Sequence, residues 1–322
     1  MRTILVALES NSLTAEQIER IREVAPQDTS VVMTRDREEI QSILDQIEIV
    51  AGWFPADMIP QAPNLRWYQQ WSAGADWLLR HPEVAQEDFV LTSTSGIHAI
   101  QITEHIFALL LAFARELPRA LEAQKDREWI PSRAHEHLFE LAGKTMVLIG
   151  VGSIGRRTAR VAQAIGMRVL SVRRDPTVDT PGVEAVFGPD EPLDLLPEAD
   201  IVVLTVPLTE ETRGLIAAGE LRAMKQTSIL VNVGRGGVVD EEALVLALEE
   251  GRIAGAGLDA FETEPLPEDS PLWTLDNVII TSHYAGITPN YHERALGVFL
   301  DNLQRHVAGE PLQNIVDKEL GY

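Results

Sequence analysis

Along the chain, short continuous apolar runs alternate with stretches whose apolar positions recur every three or four residues. Residues 3–8, 30–34, 48–52, 66–70 and 89–93 are runs of the first kind and predict strands; residues 14–25 predict a helix. Strands that are apolar on both faces and separated by helices belong to a parallel sheet covered on both sides. Residues 99–117 form a long helical pattern, apolar at Ile102, Ile106, Leu109, Leu110 and Phe113, with no internal glycine or proline. Pro118 then predicts a kink or an end. From Lys144 the alternation resumes, with strands at 145–149, 168–172, 201–205, 228–231, 254–258 and 278–281 and helices at 153–165, 241–250 and 289–307. This order predicts an α/β protein of two doubly wound parallel-sheet domains, with the long helix as the first crossover between them.

Composition narrows the class of partner more than the fold. The chain has 322 residues, 45% of them hydrophobic and 24% charged, as in ordinary globular proteins. The longest apolar run, 106–114, is too short to span a bilayer. Residues 1–6 read as a first strand and lack the apolar stretch and cleavage site of a secretory signal, so a cytoplasmic location is expected. The absence of cysteine excludes disulfides, thiolate nucleophiles and thiolate-bound metals. Against 49 acidic residues stand 27 lysines and arginines, a formal net charge of −22 that repels nucleic acid and anionic membranes. The expected partner is a small molecule, and an anionic one must be held by local cations and backbone N–H groups.

The sharpest local signal is Gly150-Val151-Gly152-Ser153-Ile154-Gly155, which leaves an apolar strand and opens a helix. In that setting Gly150 permits the tight turn, Gly152 lets a diphosphate approach the backbone, and Gly155 allows close helix–strand packing. The first turn of the helix, with Ser153 and Ile154, then offers N–H groups and a favourable dipole to the phosphates. An acidic residue about 20 positions further on would bind the ribose 2′-hydroxyl of NAD. This chain has Arg173 and Arg174 there, followed by Asp175. A guanidinium suits a 2′-phosphate, so NADP(H) is expected ahead of NAD(H); the alternative has both arginines solvated and Asp175 in the acid's place.

Three further segments each start at the carboxyl end of a predicted strand, the edge at which open α/β sheets bind ligands. They are 231–240 with Val233, Gly234 and Arg235, 257–267 with Asp259 and Glu264, and 281–286 with His283, Tyr284 and Gly286. Hydride transfer to a carbonyl needs a proton for its oxygen, and an anionic substrate needs a cation. Arg235 has the donor fork for a carbonyl or a carboxylate. His283 titrates near neutrality and serves as the acid–base group, and Glu264 would orient its ring and favour imidazolium.

With these motifs in this order the chain resembles the D-isomer-specific 2-hydroxyacid dehydrogenase family. The likeness extends to 111–115, to Val206-Pro207-Leu208-Thr209 with Glu211-Thr212-Arg213, and to the tail 309–317; its details are most similar to NADPH-linked glyoxylate and hydroxypyruvate reductases. The resemblance implies a flavodoxin-like substrate domain, 1–97 with 287–322, and a Rossmann cofactor domain, 98–286. It implies the same roles for Arg235, Glu264 and His283. It also implies that Asp259 holds the nicotinamide end, and that Val206, Pro207, Thr212, Val233, Gly234 and Gly286 line the cofactor. The substrate carboxylate would take backbone N–H groups of Ala73, Gly74 and Ala75, while Trp53 and Tyr284 narrow the pocket. A homodimer built on the long helix is expected.

Relatives of the same fold include formate dehydrogenases, which Glu264 argues against, phosphite dehydrogenases, and a nucleotide-sensing corepressor that is a binding module. The last two stay open at this point. His135-Glu136-His137 has a metal-like spacing but no third ligand, so a solvated loop and no metal are expected. His98 and His105, at and in the long helix, are read as structural.

Overall fold

The computed structural model describes residues 2–132, 135, 137–189 and 192–321. The chain divides into two units, Met1–Ile97 with Thr288–Tyr322, and His98–Ile287. Among the described residues no helix is long and apolar enough to cross a membrane.

The first unit holds strands β1 (Arg2–Ala7), β2 (Thr29–Met33), β3 (Ile47–Gly52), β4 (Trp67–Gln70) and β5 (Val90–Thr92). They form one parallel sheet in the order β2-β1-β3-β4-β5, the flavodoxin-like arrangement. Ile4, Leu5 and Val6 of β1 are completely buried, as a central strand covered on both faces requires, each adding about 1.5–3 kcal/mol of apolar burial. One face is covered by the helices Ala15–Val24 and Tyr291–Ala308, whose Ile21, Leu296, Phe299 and Leu303 pack on Ile4, Val6 and Trp67. Thr14 caps the first of these by accepting from the Gln17 N–H, and the Gln17 side chain accepts from the Thr14 N–H in return.

The second unit holds β6 (Thr145–Ile149), β7 (Arg168–Val172), β8 (Ala185–Phe187), β9 (Ile201–Leu204), β10 (Ile229–Asn232), β11 (Gly255–Leu258) and β12 (Val278–Ile280). All pair in parallel, in the order β12-β11-β10-β9-β6-β7-β8. This is the Rossmann order with a seventh strand, and its direction reverses between β6 and β9. Two cores flank the sheet. The helices Ala99–Ala114 and Ser153–Ala164 cover one face, and Ala218–Ala223 with Glu241–Glu249 cover the other.

Of the departures from the sequence pattern, which include the helix Ala218–Ala223, two have a local cause. The long helix ends at Ala114, and a separate helix, Leu117–Asp126, starts after Glu116, which sits in the left-handed region at φ 49°. Pro118 therefore lies in the first turn of a new helix, where its missing N–H costs nothing, and the break falls at the charged pair Arg115-Glu116. The Glu116 carboxylate accepts from His135 Nδ1 at 2.6 Å and the His137 N–H at 3.1 Å. Glu136 lies outside the described residues. The second departure is β8, three residues long and half-buried, too short to stand out from the preceding loop.

Candidate active site

The glycine turn joins β6 to the helix Ser153–Ala164. Gly150 has φ +97°, and a Cβ there would stand 2.8 Å from Val206 Cγ1. A Cβ on Gly155 would come to 2.3 Å from the Gly150 carbonyl oxygen, so this residue sets how closely helix and turn approach. Thr205 Oγ1 donates to that same oxygen at 2.8 Å and ties the turn to the end of β9. By contrast a Cβ on Gly152 would meet nothing within 4 Å. Gly152 is the helix N-cap and has no side chain to cap the first N–H groups, those of Ser153, Ile154 and Gly155. The turn thus presents donors and open space at the switch point of the sheet.

At the end of β7 the half-buried Arg173 donates its N–H to Phe187 O at 3.0 Å, and its Nη1 lies 3.4 Å from Thr180 Oγ1. Arg174 pairs with Glu211 at 2.8 Å on the surface. The Asp175 carboxylate is turned onto its own loop, accepting from Thr177 Oγ1 at 2.6 Å and Thr177 N–H at 3.0 Å. The hydroxyl bond, then the N–H bond, holds it below the usual aspartate range. Val206 and Pro207 follow β9, and Thr212 Oγ1 donates to Pro207 O at 2.7 Å.

The three candidate catalytic groups stand beyond the carboxyl ends of adjacent strands, Arg235 after β10, Glu264 after β11 and His283 after β12. Neighbouring parallel strands run about 4.8 Å apart, so residues far apart in sequence share one edge. His283 Nδ1 lies 2.8 Å from Glu264 Oε2, and Glu264 Oε1 accepts the Phe261 N–H at 3.0 Å. With Nδ1 turned to the carboxylate, Nε2 is the nitrogen left for a substrate. His283 itself has φ +52°, in the left-handed region. Arg235 is half-buried and extended (φ −139°, ψ 146°), with Nη1 donating to Gly234 O at 2.9 Å. Val233 and Gly234 before it are buried.

Asn232, which the sequence pattern did not single out, shapes this loop. Its side chain is buried, accepting from the Gly234 N–H at 3.1 Å and donating to Arg235 O at 3.0 Å. An asparagine heading a Val-Gly-Arg turn was the available signal. Asp259 is 2% exposed, and its carboxylate faces the histidine turn. It accepts from Thr281 Oγ1 at 2.6 Å, the Tyr284 N–H at 3.1 Å and the Ala285 N–H at 3.1 Å. Tyr284 is exposed, and Gly286 begins the exit from the turn.

In the first unit, Ala73, Gly74 and Ala75 follow β4. The carbonyls of Ser72 and Gly74 are taken by Gln70 Nε2, at 3.1 and 2.8 Å. Among the described residues no acceptor meets the N–H groups of Ala73, Gly74 or Ala75. Trp53, after β3, lines a cavity of about 320 Å³ with Phe54, Tyr68 and Trp77. Tyr68 accepts from the Phe54 N–H at 3.1 Å and donates to Gly52 O at 3.3 Å; burial pushes its hydroxyl up to about 12.

Residues 107–285 match the sequence model of the D-isomer specific 2-hydroxyacid dehydrogenase, NAD binding domain. The chain belongs to this family. Its curated relatives include the glyoxylate reductase of Korarchaeum cryptofilum, 37% identical over 93% of this chain and 89% of that one. That of Aeropyrum pernix is 36% identical over 92% and 87%. Among solved structures, a D-isomer specific 2-hydroxyacid dehydrogenase from Xanthobacter autotrophicus, in complex with NADPH and MES, superposes with a TM-score of 0.85 at 29% identity, covering 100% of this chain and 99% of that one. The NADPH-dependent glyoxylate/hydroxypyruvate reductase of Sinorhizobium meliloti, in complex with NADP and sulfate, gives 0.84 at 26% identity with both chains fully covered. The family's NAD-binding region coincides with the unit that carries the glycine turn, Arg235, Glu264 and His283.

Proposed function

We propose that this chain reduces a small 2-keto acid, of the glyoxylate or hydroxypyruvate kind, to the D-2-hydroxy acid, and that it uses NADPH in preference to NADH. The observation that carries the reading is the His283–Glu264 contact of 2.8 Å, on the same sheet edge as Arg235 and the glycine turn. A dinucleotide fits this turn. Gly152 leaves space where a side chain would stand, and the start of the helix Ser153–Ala164 has N–H groups for a diphosphate. Ser153, Ile154, Val206, Pro207, Thr212, Val233, Gly234 and Gly286 would hold the rest of it. Arg173 and Arg174 would take the 2′-phosphate, a reading supported by the engagement of Asp175 with Thr177.

When bound, the reduced nicotinamide supplies a hydride. Arg235 orients the keto acid and polarises its carbonyl. His283, as imidazolium, donates the proton from Nε2 to the carbonyl oxygen, and Glu264 accepts Nδ1–H to fix the ring. In the first unit, the N–H groups of Ala73, Gly74 and Ala75 are donors suited to a carboxylate. In this reading His98–Ile287 is the cofactor domain and the other unit the substrate domain.

Absorbance assays of a 2-keto acid panel, run with NADPH and with NADH, test the reading. Turnover of glyoxylate, hydroxypyruvate or a close homologue, faster with NADPH, is expected; activity with phosphite alone, or a clear NADH preference, contradicts it. Exposed Leu111, Leu117 and Leu121 on the helices Ala99–Ala114 and Leu117–Asp126 support a homodimer, and light scattering at monomer mass would refute that part.

A further inference from the structure

The helix Ala99–Ala114 is apolar where it packs on the sheet, yet Gln101 and His105, four residues apart on one face, are polar and turned to the histidine loop. Gln101 Nε2 donates to Gly286 O at 3.0 Å. His105 Nε2 lies 3.0 Å from Thr281 Oγ1 and 3.8 Å from Asp259 Oδ1. His105, Thr281 and Asp259 are 13%, 8% and 2% exposed, so these contacts are shielded from water.

The proton count fixes the direction of the chain. Thr281 Oγ1 donates its single proton to Asp259 Oδ1 at 2.6 Å. Towards His105 the same oxygen must accept, and His105 Nε2 carries a proton. Burial lowers the proton affinity of this ring despite the pull of Asp259, so the neutral Nε2–H form is the working one. Asp259 then holds the Tyr284 and Ala285 N–H groups, on either side of which lie His283 and Gly286. The helix comes this close to β11 where the strand turns glycines towards it: a Cβ on Gly255 would come to 3.0 Å from the Phe113 ring, and one on Gly257 to 3.1 Å from Leu109 Cδ1.

We propose that His105, acting through Thr281 and Asp259 and seconded by Gln101, is a positioning residue that holds the turn from Thr281 to Gly286 and thereby keeps His283 facing Glu264. His283 needs such a brace because its φ of +52° is unfavourable for a residue with a side chain. The proposal rests on His283 being the acid–base group.

The test compares His105→Phe, which keeps the ring shape without the donor, with His105→Gln, which restores an N–H donor. Thr281→Val and Thr281→Ser form a second pair in case the first does not fold. Two readouts are taken: steady-state kinetics with NADPH affinity by fluorescence, and hydrogen exchange of the Tyr284 and Ala285 amides. The Phe and Val variants are expected to lose about tenfold or more in kcat, with a smaller loss of NADPH affinity and faster exchange of both amides; Gln and Ser should recover most of each loss. Native kcat and native exchange in the Phe and Val variants would overturn the proposal, as would Gln and Ser variants as impaired as their partners. If the native protein reduces no 2-keto acid, the functional reading fails, while the exchange rates still decide whether the brace exists.

Discussion

The Glu264 carboxylate divides its two oxygens between the backbone and the imidazole: Oε1 accepts the Phe261 N–H, and Oε2 faces His283 Nδ1. The first bond fixes the carboxylate, and the second fixes the orientation of the ring. The pair is part-exposed and adds little to stability; in the proposed reaction its task is to place the proton donor. Glu264→Gln should lower kcat for keto-acid reduction by about tenfold or more with NADPH affinity near native, because the ring loses its anchor, as steady-state kinetics would show. Native kcat in this variant would remove the carboxylate from the account. At this scale residue type pointed to Arg235, Glu264 and His283, and the fold brings the last two into contact. The sequence reading took His105 as structural without naming a partner and did not single out Asn232, because a polar residue inside an element is assigned a partner only by the fold.

At the scale of elements, the glycine turn separates two demands that one motif carries. Gly155 answers to packing, since a Cβ would press to 2.3 Å on the Gly150 carbonyl, whereas Gly152 has open space around it. Gly155→Ala should therefore lower the melting temperature, by an overpacking cost of about 1–3 kcal/mol. Gly152→Ala should leave stability near native and weaken NADPH binding, because the added methyl occupies ground meant for the diphosphate. Thermal melts and NADPH titrations of both variants check this; equal effects of the two on both quantities would refute the division of roles. Element order was readable from apolar runs because both sheets are parallel and buried on both faces. The break at Glu116 was not, since the run 106–114 flows into Leu117 with the same periodicity and only a left-handed residue, held by His135 and His137, interrupts it. Nor was β8, whose three residues pair only with β7 at the sheet edge.

For the molecule as a whole, acid sensitivity follows from buried histidines. Burial lowers the proton affinity of His105 in one unit and of His292 in the other. Trp71 Nε1 can only donate, so His292 Nδ1, at 3.2 Å, must accept and be unprotonated. Where the folded pKa lies below the unfolded value of 6.5, the unfolded chain binds more protons, and stability is complete above that pH and declines as pH falls below it. Melting temperatures should therefore drop between about pH 7 and pH 5, and less so in His292→Gln, which keeps an acceptor without the titration. An equal drop in native and variant would remove His292 from the account. The formal charge of −22 adds a general constraint: an anionic cofactor and an anionic substrate must be drawn in by a few placed cations, which is the task assigned to Arg173, Arg174 and Arg235.

The central claim is that His283 supplies the proton in a keto-acid reduction whose cofactor sits on the glycine turn. The most direct measurement pairs NADPH oxidation by a 2-keto acid with NADPH binding, in the native enzyme and in His283→Ala. The account predicts a loss of about two orders of magnitude or more in kcat with NADPH affinity nearly unchanged. Turnover in the variant within a few-fold of native would contradict it.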